Sequence, residues 1–226
     1  MKIVILAGGL GTRLYPYTKT IPKPMVKIDN IPIIVHIMKI YEKYGFNEFI
    51  IASGYKSEVI EKYFQKNNFN FNIKIVFTGI ETMTGGRLLK LKKYLNKDTF
   101  MMTYGDAVSN INIKNLIKFH KKNKKLVTVT GVRPISRFGI IETNKNLVTK
   151  FKEKMQMNSG WINGGFFVME PKFLSYIKNR FTMLERDPME KITQKKQLAC
   201  FKHSGFWQCM DTPRDKEKLE DFLKND

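Results

Sequence analysis

The feature that most restricts this chain stands at its beginning, where the apolar run 3–7 passes directly into Gly8-Gly9-Leu10-Gly11. A strand apolar at consecutive positions is buried on both faces, as in the centre of a sheet covered by helices. Glycines straight after such a strand let the backbone take positive φ and bring bare amides close to a ligand. The rest of the chain alternates in the same way. Behind Pro32, the residues Ile33, Ile34, Ile37, Met38, Ile40, Tyr41 and Tyr44 recur at helical spacing until Gly45. Strands are predicted at 49–52, 73–76, 100–103 and 126–130. Helices are predicted through Val59, Ile60 and Tyr63, over 86–94, and around Leu116, Ile117 and Phe119. After Pro134 come short strands around Ile140, Val148 and Phe166. A helix over 188–195, a strand at 198–201 and a charged helix behind Pro213 complete the chain. This pattern predicts an α/β fold, a mostly parallel sheet flanked by helices. The 226 residues suit one domain, with a nucleotide-binding front half of about 1–132 and an acceptor-binding back half of about 133–226.

The formal charge of +20 raises the question of nucleic acid. The lysines are spread along the whole chain, however, and the one dense basic run, 121–125, falls where a helix should end. The expected partners are therefore small anions drawn in by a positive field, not nucleic acid. No apolar stretch has the length of a membrane span, and the opening strand is too short for a signal-peptide core, so a cytoplasmic protein is expected. The cysteines Cys200 and Cys209 make neither a disulfide framework nor a metal site and read as buried thiols.

Three kinds of phosphate loop begin with glycines after a strand. The P-loop ends in Gly-Lys-Ser/Thr, which is missing here. The dinucleotide fingerprint needs a third glycine, where this chain has Leu14, and an acidic residue after the second strand, where it has Ala52-Ser53-Gly54. Behind this loop stand Arg13 and then Lys23, the latter set between Pro22 and Pro24. Arginine offers a planar fork to phosphate oxygens and lysine a compact charge, and the prolines fix the backbone around Lys23. This combination points to a polyphosphate. Asp106 and Asp211 each come after an apolar or aromatic segment, where carboxylates face the crevice of an open sheet. Alone, either reads equally well as a turn residue.

The segments 6–14 and Pro22-Lys23-Pro24-Met25 together resemble the signature of the sugar-nucleotide pyrophosphorylases. The likeness continues through Glu81-Thr82-Met83-Thr84-Gly85-Gly86-Arg87, Tyr104-Gly105-Asp106, Arg137-Phe138-Gly139, Glu153-Lys154, Trp161-Ile162-Asn163-Gly164-Gly165 and Trp207-Gln208-Cys209-Met210-Asp211. The set is similar in particular to the glucose-1-phosphate cytidylyltransferase branch. The resemblance implies a Rossmann-like nucleotidyltransferase fold and transfer of CMP from CTP to a small phosphorylated acceptor, with release of pyrophosphate. It implies nucleotide contacts from Leu6, Ala7, Gly8, Gly9, Gly11, Thr12, Glu81, Thr82, Gly86, Arg87 and Gly105. Arg13 and Lys23 become catalytic cations, and Asp106 and Asp211 become ligands of Mg²⁺. Arg137, Gly139, Glu153, Lys154, Asn163 and Gly164 fall on the acceptor side. A role in capsule or surface polysaccharide synthesis, and assembly into a homo-oligomer, are further expectations of the kind.

Two departures bear on the acceptor. Met155 stands where relatives carry proline after Glu-Lys, and only the short connection 65–71 stands where the branch has a long insertion. A shortened relative that loads CMP onto a non-sugar phosphate such as L-glutamine phosphate, for capsule phosphoramidate, is therefore expected. A sugar 1-phosphate is the alternative acceptor. The histidines His36, His120 and His203 pair with no Ser or Cys nucleophile and read as surface or packing residues. Trp161 and Trp207 read as core or pocket wall. A non-catalytic nucleotide sensor is the reading from another class, although it has little use for two aspartates.

Overall fold

The computed structural model describes residues 1–133, 139–153 and 160–224. In chain order its strands are β1 (Ile3–Ala7), β2 (Lys27–Ile28), β3 (Ile31–Pro32), β4 (Glu48–Ser53), β5 (Asn72–Phe77), β6 (Phe100–Tyr104) and β7 (Ala107–Ser109). Then come β8 (Val127–Val132), β9 (Ile140–Asn144), β10 (Leu147–Lys152), β11 (Ile162–Met169), β12 (Leu198–His203) and β13 (Trp207–Cys209). The helices are α1 (Ile33–Glu42), α2 (Ser57–Lys66), α3 (Thr84–Lys90), α4 (Lys92–Leu95), α5 (Ile113–Asn123), α6 (Asp187–Gln194) and α7 (Pro213–Lys224).

Seven strands form the central sheet in the order β12-β8-β11-β6-β1-β4-β5. All neighbours are parallel except β11, which runs antiparallel to both β6 and β8. Parallel neighbours need a long crossover, usually a helix. Between β8 and β11 the described chain holds only the hairpin β9–β10, so β11 returns beside β8 in the opposite sense.

Alternation along the central strands explains the two cores. Ile3 and Ile5, Phe49 and Ile51, and Phe166 and Val168 pack to one side, with Ile34, Ile37, Met38 and Tyr41 of α1. Val4 and Leu6, Ile50 and Ala52, and Phe167 and Met169 pack to the other, with Leu88 of α3 and Ile192 of α6. Successive side chains of a strand point to opposite faces, so a strand apolar throughout supplies both cores at once.

β1 has β4 on one side and β6 on the other, with Leu6 opposite Tyr104. Here the chain order reverses, and the crevice beyond the carboxyl ends of such strands is where α/β sheets hold ligands. The helix expected over 86–94 is instead two, α3 and α4, parted at Leu91 (φ −90°, ψ 1°). Leu91 and Leu95 remain fully buried despite the break, so packing overrides continuity.

Candidate active site

The loop after β1 is shaped by its glycines. Gly11 has φ +66°, and a Cβ there would stand 3.0 Å from both Lys23 Cβ and Thr18 Cγ2. A side chain at Gly8 would overlap the guanidinium of Arg87, whose Nη1 stands 2.0 Å from the Cβ position. That guanidinium is buried: Nη1 donates to the Ser53 carbonyl, Thr78 Oγ1 and the Gly79 carbonyl, at 3.0, 2.6 and 2.9 Å. Nη2 donates to the carbonyls of Gly8 and Ile80, at 2.8 and 3.3 Å. Arg87, expected to touch the nucleotide, thus spends five hydrogen bonds fastening the glycine loop to the ends of β4 and β5. Burial pulls its pKa down, but an arginine remains charged.

Lys23 starts a 3-10 turn (Lys23–Met25) behind Pro22 in extended backbone. Its Nζ donates to Asp106 Oδ2 at 2.7 Å and to Asp211 Oδ1 at 2.6 Å. Burial alone would lower the Lys23 pKa, but the two carboxylates override it and hold the ammonium above its ordinary value. Arg13 Nη1 reaches the second oxygen of Asp211 at 2.9 Å. The formal charges of the two cations and two carboxylates cancel. Because the Arg13 side chain is 74 % exposed, its pair adds little stability, and it remains free to turn toward an anion.

The two aspartates are joined by a ribbon that sequence reasoning missed. β7 leaves Asp106 and pairs antiparallel with β13, which leads into Asp211. Met210 N donates to the Asp106 carbonyl at 2.8 Å. Asp215, also overlooked, accepts from the amides of Asp211 and Thr212 at 3.2 and 2.9 Å and from the Thr212 hydroxyl at 2.9 Å. In return its own amide donates to Thr212 Oγ1 at 3.3 Å. This reciprocal cap starts α7 and fixes the backbone that carries Asp211. A Thr placed three residues before an acidic residue, with Pro213 between, is a signal readable in sequence.

These groups border a cavity of about 340 Å³ lined by Leu6, Gly8, Arg13, Lys23, Tyr104 and Asp106, among others. Ala7, Gly9, Gly11, Thr82 and Gly105 line it too. A neighbouring hollow of about 380 Å³ shares Lys23 and Arg13 and adds Thr12 and Glu81. Gly86 has another position: a Cβ there would meet the Arg180 carbonyl at 2.2 Å, so it packs α3 against the segment 180–184.

Of the acceptor-side residues, Asn163 is not among the lining residues of the two hollows but touches one of them, its Nδ2 donating to the Tyr104 hydroxyl at 3.4 Å. Gly164 is buried, and its carbonyl accepts from Trp207 Nε1 at 2.7 Å; it too is not among the lining residues. Gly139 and Glu153 flank the separate hairpin β9–β10 and are not among the lining residues of these two hollows. Arg137 and Lys154 lie outside the described residues. Contrary to expectation, Cys200 is exposed and Cys209 only part-buried.

A loop of bare amides, two cations and two converging carboxylates form a site suited to transfer at a polyphosphate. The family profile described as Nucleotidyl transferase matches residues 2–219. The chain is 42% identical to glucose-1-phosphate cytidylyltransferase of Salmonella typhimurium over 243 positions, covering 97% of this chain and 95% of that one. It is 33% identical to mannose-1-phosphate guanyltransferase of Aspergillus oryzae, covering 95% of this chain and 62% of that protein. HddC from Yersinia pseudotuberculosis superposes with a TM-score of 0.77 at 25% identity, over 98% of this chain and 99% of that one. Likeness along nearly the whole length, in sequence and in fold, joins the geometry in one conclusion: this chain belongs to the nucleotidyl transferase family.

Proposed function

We propose that the protein is a sugar-1-phosphate cytidylyltransferase that takes CTP and glucose 1-phosphate and releases pyrophosphate. The observation that carries this reading is Lys23 Nζ, held at 2.7 and 2.6 Å by Asp106 and Asp211 beside the glycine loop. The choice of CTP and a sugar rests on the 42% identity to an enzyme named for that pair, against 33% to one named for mannose 1-phosphate and guanylyl transfer. It replaces the L-glutamine phosphate expected from the short connection 65–71. That alignment covers 97% of this chain and 95% of the relative, so the likeness to a sugar-phosphate enzyme runs along nearly the whole of both.

In this reading an oxygen of the acceptor phosphate attacks the α-phosphorus of CTP. The new P–O bond forms as the bond to the β-phosphate oxygen breaks, and pyrophosphate departs with that oxygen. A phosphate monoester has a second pKa of about 6 and is mostly dianionic at neutral pH, so no general base is needed. Positioning and charge neutralisation supply the catalysis. Lys23 and Arg13 release their hold on the carboxylates and turn to the phosphates, while the glycine-loop amides donate to phosphate oxygens.

The residues also fit a divalent cation. Asp106 and Asp211 already converge on one positive charge, and once Lys23 turns away they leave two negative charges at that point. Among the described residues no cluster of three or more His, Cys, Asp and Glu side chains forms a closed metal site. Two carboxylates plus phosphate oxygens and water suit Mg²⁺, which when bound would neutralise charge on the phosphates. Pyrophosphate release should be measured for each of the common NTPs against glucose 1-phosphate, other sugar 1-phosphates and L-glutamine phosphate. CTP with glucose 1-phosphate is expected to give the highest rate. Turnover of L-glutamine phosphate alone would sink the sugar reading.

A further inference from the structure

Glu185 is conspicuous for what holds it. The chain has 40 lysines and arginines against 20 acidic residues. The partners of this carboxylate among the described residues are two hydroxyl groups, both on residues that line one cavity. Tyr104 donates to Oε1 at 2.6 Å, and Thr84 donates to Oε2 at 2.7 Å. Both Tyr104 and Thr84 line the 340 Å³ cavity, and Glu185 itself is exposed at its edge.

The protons in this network all point one way. Thr84 Oγ1 accepts from the Leu184 amide at 2.9 Å and gives its own proton to Glu185. Tyr104 accepts from Asn163 Nδ2 and gives its proton to Glu185. Asn163 Oδ1 is taken by the Gly165 amide at 2.9 Å. A tyrosine hydroxyl is protonated at neutral pH, so Tyr104 donates to the carboxylate and the direction is fixed. A carboxylate has about four lone-pair positions, and two are filled here. The edge therefore presents oxygens with room for further donors and offers no proton of its own.

The ligand that matches is rich in hydrogen-bond donors and carries no negative charge at that end. Tyr104 lies just before Gly105 and Asp106, so this edge and the cation pair Lys23 and Arg13 bound one space. We propose that Glu185 reads the acceptor: it takes hydrogen bonds from sugar hydroxyls of a 1-phosphate whose phosphate lies toward Lys23 and Arg13. The proposal rests on the sugar-phosphate reading above and deepens it. The same carboxylate repels an acceptor that brings its own carboxylate to this edge, which adds discrimination against acidic phosphates.

The test compares wild type, Glu185→Ala and Glu185→Gln with CTP and glucose 1-phosphate. Analogues in which single sugar hydroxyls are replaced by hydrogen or fluorine form a second series. Loss of a hydrogen bond to a charged group corresponds to about tenfold or more. Glu185→Ala is expected to raise the KM for glucose 1-phosphate by that factor and to leave the KM for CTP within about twofold. Glu185→Gln, which keeps one acceptor oxygen, should recover part of the loss, and it carries the test if the alanine variant melts early. At least one hydroxyl whose removal costs wild type about tenfold should cost Glu185→Ala nothing further. Equal rises in both KM values, or the same penalty for every analogue in all three proteins, would reduce Glu185 to a structural tie. Should wild type turn over CTP with no sugar 1-phosphate at all, the underlying reading fails and this one with it.

Discussion

Arg87 lines both hollows of the site and at the same time holds its glycine loop in place. Its hydrogen bonds go to four carbonyls and a threonine hydroxyl around the glycine loop, and the residue is only 4% exposed. Arg87→Met would strand several of those carbonyls. Each buried group left without a partner costs about 1–3 kcal/mol, so a net loss of about 3 kcal/mol is expected in urea unfolding, with weaker CTP binding. The two cysteines behave differently for equally local reasons. Burial, with Asp211 and Asp106 adding to it, pushes the Cys209 thiol up to about 12. At about pH 8 it is therefore protonated and a poor nucleophile. Iodoacetamide should label Cys200, which is exposed, and reach Cys209 only as the pH approaches that value or after unfolding, as mass spectrometry of the peptides would show. Lys23 was readable from its proline frame and Arg13 from the loop. The role of Arg87 was hidden because hydrogen bonds to carbonyls at the ends of β4 and β5 are long-range and leave no mark in the spacing of residues.

Among elements, the ribbon β7–β13 and the start of α7 decide where Asp211 sits. Asp215 is 6% exposed and binds two amides and a hydroxyl at the helix start. Asp215→Ala should cost about 1 kcal/mol of stability, as lost helix caps do. Its larger effect is expected on turnover, because a small displacement of a positioned group costs up to about a hundredfold. Steady-state kinetics beside a thermal melt separate the two effects. The long elements were legible in apolar periodicity: β1, β4 and β6 are apolar runs, and α1 repeats its buried face over Ile34, Ile37, Met38 and Tyr41. The three-residue strands β7 and β13 are too short for any period to register. The hairpin β2–β3 had a local cue, since Asp29 and Asn30 both take positive φ as its turn requires. The antiparallel sense of β11 depends on the absence of a helical crossover among the described residues before it, which is a property of the connection and not of the strand.

At the scale of the molecule, the reversal of strand order beside β1 places the glycine loop, Gly105 and Asp106 at one end of the sheet. The basic residues are spread along the chain, and among the described residues no helix is long and apolar enough to cross a membrane. In the proposed reaction Lys23, bridging Asp106 and Asp211, is the centre of nucleotidyl transfer. This role is tested by measuring pyrophosphate and CDP-glucose formed from CTP and glucose 1-phosphate by wild type and by Lys23→Ala, with thermal melts of both. Wild type should form the two products in equal amounts. The variant should lose about a thousandfold in rate, as when a transition-state donor is removed, while still melting cooperatively. A folded Lys23→Ala protein that keeps a rate within about tenfold of wild type would contradict the account.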